Sequence, residues 1–172
     1  MRRLVLGFCL AAIASPSFAA PAVRACDVLL NVIDPDPAGL NVRAAPKGEV
    51  IGVLKAKNTW VQVDVTGDAD GWMRIDGATL YDDSLPDGEK PAFAGSGFVA
   101  TGMLAIETLN PGAKVYAEPN EASRVVYRTS MDDSKAPATK VIGCLGDFLQ
   151  LQIGSVTGWT RGYCSNQRTT CV

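Results

Sequence analysis

The chain contains no histidine. That absence removes a Ser-His-Asp triad, a Cys-His dyad and imidazole acid–base chemistry together. It also removes the commonest metal ligand. Carboxylates are the next candidates. Asp82-Asp83 and Asp132-Asp133 are adjacent pairs in loop-like sequence. Neighbouring side chains on an extended chain point to opposite sides, so neither pair is expected to share a site. Asp64, Asp68 and Asp70, followed by Gly71, resemble part of a calcium loop. Aligning Gly71 with the loop glycine puts Thr66 at the first ligand position and Gly77 at the last. The acidic first ligand and the bidentate glutamate are then both missing. An acidic hairpin turn accounts for the same residues.

Cysteine is the other reactive side chain, present as Cys9, Cys26, Cys144, Cys164 and Cys171. Cys9 falls in a segment, 1–19, that reads as an export signal. Arg2 and Arg3 precede an apolar run over 4–13, Ser15-Pro16 breaks it, and Ser17 and Ala19 are small residues before a cut near Ala19. The run is shorter than the ~20 apolar residues that span a bilayer. Phe8 is too bulky for the position ahead of a lipidated cysteine. We therefore expect a periplasmic or secreted protein with no membrane anchor.

Four cysteines remain after such a cut, which implies two disulfides and leaves three pairings open. Their spacings include no C-x-x-C, so a zinc site is not expected. Oxidised thiols would not serve as nucleophiles. Neither a metal nor a cofactor is expected, and the chain does not read as an enzyme.

Charge narrows the partners. The whole chain carries a formal −2, and loss of Arg2 and Arg3 makes it −4. The imbalance is local: residues 20–90 hold 7 basic and 12 acidic groups, whereas 91–172 hold 7 and 6. An acidic first half does not attract nucleic acid or anionic lipid.

The elements that must position these residues read as strands. Residues 60–76, WVQVDVTGDADGWMRID, alternate Trp60, Gln62 and Asp64 with Val61, Val63 and Val65. This is the period of a half-buried strand. A turn over 66–71 and a return strand from Trp72 follow. A weaker copy, FLQLQIGSVTGWTRG, covers 148–162. GLNVRAAP at 39–46 is echoed by GAKVYAEP at 112–119, and 50–54 by Val125-Val126. The second copy is longer over roughly 129–143 and gains a strand at 139–144. Residues 82–102, rich in Asp, Pro, Gly and Ser, read as a linker. A strand at 27–33 precedes the first copy. No helical period persists after the signal, so the chain is expected to be all-β.

The order GLNVRAAP, VIGVL, central strand and Gly-Trp strand resembles the bacterial SH3 (SH3b, SH3_3-type) domain. The resemblance covers 38–81, and more weakly 103–164, where the opening has become Gly-Ala-Lys-Val-Tyr. It implies two small SH3-like β-barrels in tandem, at 20–81 and 103–172. The first is one strand short. Its open edge needs cover from the strand at 27–33 or from the second unit. In this family the module often accompanies a wall hydrolase, and none is evident in this sequence. The resemblance implies recognition of cell-wall (peptidoglycan) peptides or, alternatively, a role as an adaptor, inhibitor or assembly factor bound to an envelope protein. SH3-like barrels line their peptide grooves with aromatics near loops, which nominates Trp60, Tyr81 and Tyr116. Trp72 and Trp159, by contrast, read as core.

The same strand pairing bears on the disulfides. Cys144 and Cys164 would flank the 148–153 strand on opposite sides. Two strand spacings separate them by roughly 9–10 Å, beyond disulfide reach. Cys171 is then expected to pair within the second unit, with Cys144 ahead of Cys164. Cys26 would take the one left over and staple the two units together.

Overall fold

The computed structural model describes residues 22–56, 58–131 and 139–165. The chain is all-β. Its strands are β1 (Arg24–Val32), β2 (Leu40–Arg43), β3 (Val50–Leu54), β4 (Trp60–Asp68), β5 (Trp72–Tyr81), β6 (Glu89–Ala100), β7 (Leu104–Ala105), β8 (Thr108–Leu109), β9 (Lys114–Tyr116), β10 (Val125–Arg128), β11 (Thr139–Leu145), β12 (Phe148–Ile153), β13 (Val156–Thr160) and β14 (Tyr163–Cys164). A curled seven-stranded sheet runs β3-β2-β6-β5-β4-β1-β7, and a five-stranded sheet runs β10-β9-β13-β12-β11. Strands β14 and β8 form a small third pair.

Alternation fixes which faces are buried. In β4, Val61, Val63 and Val65 point into the core, while Trp60, Gln62 and Asp64 face outward or are half-buried. Leu30, Met73, Ile75 and Val99 of the first sheet join Val115, Leu149 and Leu151 of the second in one continuous apolar cluster. Burying each such side chain contributes about 1.5–3 kcal/mol. The two halves therefore share a core.

The stretch 82–102, expected to be a linker, is corrected by β6. This strand lies between β2 and β5, paired with Arg43 through Phe98 on one side and with the whole of β5 on the other. Its breaker residues have local explanations. Pro91 pairs with Thr79, away from the single bridge to β2, so its missing N–H costs no ladder bond there. The register shifts between Ile75 and Gly77, where Gly95 takes φ 113° and forms a bulge. Ser96 Oγ then donates to Asp76 Oδ1 at 2.5 Å. Among the described residues no strand lies between β3 and β4, as expected for the first repeat, and the neighbour of β2 comes from later in the chain. β6 separates β2 from the Gly-Trp strand β5, whereas in the second repeat Trp159 of β13 pairs directly with Tyr116 of β9.

The open edge of β4 is covered by β1, one of the two covers expected. β1 pairs with β4 along Arg24 to Asn31 and with β7 at Asn31 and Val32. Near its start it also meets the β11–β12 turn: Asp27 N–H donates to Gly146 O at 2.8 Å, and Gly146 N–H donates to Ala25 O at 3.0 Å. This brings Cys26 beside Cys144, and the two form a disulfide with Cα atoms 5.8 Å apart. The expected Cys144–Cys171 link is thereby overturned, because β1 brings Cys26 within disulfide reach of Cys144. Cys164 is also disulfide-bonded. Its partner, like Cys171, lies outside the described residues.

A second cross-link is polar. Asp68 is 1 % exposed and accepts an ion pair from Arg24 and the Cys144 N–H at 3.3 Å. Gly143 makes room for it, since a Cβ there would stand 2.5 Å from Asp68 Oδ2.

Two stability tests follow from these links. Replacing Cys26 and Cys144 together by Ala should lower unfolding stability by about 2–4 kcal/mol, read by urea denaturation. Gly143→Ala forces the Asp68 carboxylate out of place and should cost about 1–3 kcal/mol in the same assay.

Candidate functional site

Where the two halves meet, a cleft of about 930 Å³ opens to solvent. That is near the upper end of the usual range for small-ligand pockets. Its floor is the outer face of the first sheet. Asp27 and Leu29 of β1 lie two residues apart and share that face, next to Gln62 of β4. Glu89 of β6, Tyr81 of β5 and Trp60 of β4 form a row of register partners across the sheet. Tyr81 and Glu89 line the cleft. Trp60, 42 % exposed, extends the same face beyond it.

The opposite wall comes from the second half: Asp147 in the β11–β12 turn, then Arg161, Tyr163 and Ser165. Gln62 Nε2 ties floor to wall by donating to Ser165 O at 2.6 Å. Arg161 Nη1 donates to Asp147 Oδ2 at 2.6 Å, and its Nη2 pairs with Glu121. Its guanidinium also lies 5.2 Å from the centre of the Phe148 ring. The bond from Arg161 holds the Asp147 carboxyl below its ordinary value, and the two carboxylates push Arg161 up. Burial, together with the charges of Asp147 and Asp27, pushes the Tyr163 hydroxyl up to about 12. Tyr163 therefore stays a neutral donor throughout the physiological range.

The three aromatics nominated from sequence separate here. Trp60 and Tyr81 come together on one sheet face, Tyr81 at the cleft and Trp60 beside it. Tyr116 does not, which corrects the expectation of a third surface aromatic. It is 8 % exposed and packs edge-on against Phe148, with ring centres 6.4 Å apart, in a cluster that includes Trp159. The short Lys114–Tyr116 strand faces this ring inward against β13. Asp68 is likewise not in an acidic turn but at the buried end of β4. Asp82 caps its own turn, accepting from Ser84 N–H at 2.8 Å, and this bonding lowers its pKa. Asp132-Asp133 lies outside the described residues. Among the described residues no group of three Cys, Asp or Glu is placed to hold a metal, and no helix is long and apolar enough to cross a membrane.

Sequence reasoning missed Asp27, Gln62, Arg161, Tyr163 and Ser165. The signal was present for the first two, which occupy outward positions of alternating strands. Nothing local indicates that another element overhangs them.

No family model, curated protein or solved structure matches this chain.

The shifted tyrosine is directly measurable. In an alkaline titration followed by ultraviolet absorbance, one of the four tyrosines should ionise near 12 in the folded protein, and Tyr163→Phe should remove that step. The sign for stability follows. An unfolded tyrosine loses its proton near 10.0, so the stabilisation is intact below that pH and is lost as pH rises towards about 12.

Proposed function

We propose that this chain is an exported, non-enzymatic binding module whose inter-unit cleft takes peptides of the cell wall. The observation that carries the reading is the cleft itself, floored by a sheet face, flanked by the exposed Trp60 and the half-buried Tyr81, and walled by a second unit. Aromatic side chains beside a groove supply large contact area at low entropic cost. The resemblance of the two repeats to bacterial SH3 modules points the same way, towards SH3-like barrels that hold extended peptides. A disulfide fits an oxidising compartment, in keeping with the export signal read over 1–19. The histidine-free composition supports binding rather than turnover.

A second reading rests on a different observation. β3 ends the seven-stranded sheet and exposes Val50, Ile51 and Val53. An uncovered apolar edge can accept a partner strand, as an envelope adaptor would require.

Sedimentation with purified peptidoglycan sacculi separates the two. The wall reading expects retention at low salt, reduced roughly fivefold by Trp60→Ala or Tyr81→Ala, the effect of losing about 1 kcal/mol per aromatic contact. Absence of retention by the intact protein would refute it. In-cell crosslinking that captures a protein through β3, with no wall fragments, would favour the adaptor.

A further inference from the structure

The charged groups of the cleft are unevenly divided between anions and cations. Asp27 contributes a carboxylate with no hydrogen bond or ion pair among the described residues. Asp147 adds a second carboxylate, whose one cationic partner, Arg161, is shared with Glu121. Gln62 spends one of its two Nε2 hydrogens on Ser165 O, which leaves its carbonyl oxygen and one N–H to offer a ligand. Arg161 is the cation on the wall, and its guanidinium is occupied by two carboxylates and the Phe148 ring. With Asp27, Glu89 and Asp147 against Arg161 among its lining residues, the cavity is net anionic, which disfavours a carboxylate or phosphate and favours a cation.

Ser165 gives an independent indication. It is 7 % exposed, lines the cleft, and its buried Oγ has no hydrogen-bond partner among the described residues. A buried hydroxyl without a partner costs about 1–3 kcal/mol, so such a group at a cavity wall marks a position where a ligand atom completes the bonding. Leu29, 45 % exposed, adds an apolar surface on the floor beside Asp27.

We propose that the cleft recognises an ammonium group on an aliphatic stem, the side chain of a diamino acid in a wall stem peptide. The ammonium pairs with Asp27 and donates to the neighbouring acceptors, Ser165 Oγ among them, while the stem lies on Leu29 and Tyr81. Three donors on one compact head match several convergent acceptors better than a planar guanidinium does. The proposal rests on the wall-peptide reading for its source of amine, and the tests below keep the two apart.

The probe is the tripeptide acetyl-Ala-Lys-Ala-amide, compared with the same peptide acetylated on its side-chain amine. Binding to the full oxidised protein is read by calorimetry and by amide chemical shifts. The lysine peptide should bind and the acetylated one should bind at least roughly tenfold more weakly. Asp27→Asn should weaken the lysine peptide by a similar factor. This variant keeps shape and has no ion pair to lose, so its fold should be unchanged by circular dichroism. Ser165→Ala should weaken binding less, and Asp83→Asn, an exposed acid outside the cleft, should leave it unaltered. Equal binding of both peptides, no binding of either, or an Asp27→Asn variant of full affinity would overturn the ammonium proposal. Sacculi with acetylated amines provide the second arm. Lost retention supports the proposal, whereas unchanged retention overturns it and leaves the wall reading standing. If the lysine peptide binds but sacculi do not, the wall reading fails. The site then takes a lysine side chain of a protein.

Discussion

Strand β1 belongs to both halves of the molecule, and the rest of the structure depends on that sharing. One edge is laddered to β4. The other is held at its start by Gly146 and at its end by β7. A strand gripped on both edges cannot slip by one residue, because the slip would exchange Leu30 and Val28 in the core with Leu29 and Asp27 at the surface. The Cys26–Cys144 bond adds a covalent limit across 118 residues of chain. Closing so long a loop restricts the unfolded ensemble more than a short one would. The two repeats are therefore not independent domains on a tether. They meet through a shared strand and one apolar cluster.

The same junction carries a buried charge. Asp68 is desolvated at the end of β4, and its carboxylate needs the Arg24 guanidinium and the Cys144 N–H in compensation. Taking a charge out of water costs several kcal/mol, so such a pair adds little net stability over an apolar contact. Its effect is on specificity. Arg24 lies on β1, Asp68 on β4 and Cys144 on β11, and only the native docking of all three gives Asp68 Oδ2 its partners, Oδ1 staying buried without one among the described residues. Gly143 shows how close the approach is, since no side chain fits between the second half and Asp68.

What could be read from sequence was local, and what could not was the pairing of distant strands. β3 and β12 have the expected bounds, and β4 and β5 begin at Trp60 and Trp72, because apolar alternation and turn residues are short-range signals. β4 runs on to Asp68 through two bulges where a turn is expected from 66, as Gly67 and Asp68 remain paired against β5. β6 escaped because Pro91, Gly95 and Gly97 carry the composition of a linker, although each suits a strand that must bend past β2. Excluding a Cys144–Cys164 link by strand spacing was sound. Choosing Cys171 as the partner was not, because the contact between β1 and the β11–β12 turn has no sequence signature. The cleft was illegible for the same reason. Asp27 and Gln62 look like ordinary solvent-facing residues until the second half is placed over them.

The position of the disulfide bears on the cleft as well as on stability. Cys26 points into the core, so Asp27, the next residue, must point out onto the cleft floor. Cys144 is likewise buried, and Asp147 follows three residues later across the Gly146 turn, at the cleft wall. One covalent bond therefore sets the separation of a floor carboxylate and a wall carboxylate. Gln62 and Ser165 hold the far side of the same opening with a hydrogen bond. Fixed at two places, the cleft is spared much of the ordering cost that a hinged pair of domains would meet on binding. Asp27 has no cation paired with it among the described residues, so the fixed cleft presents a carboxylate to an incoming cation.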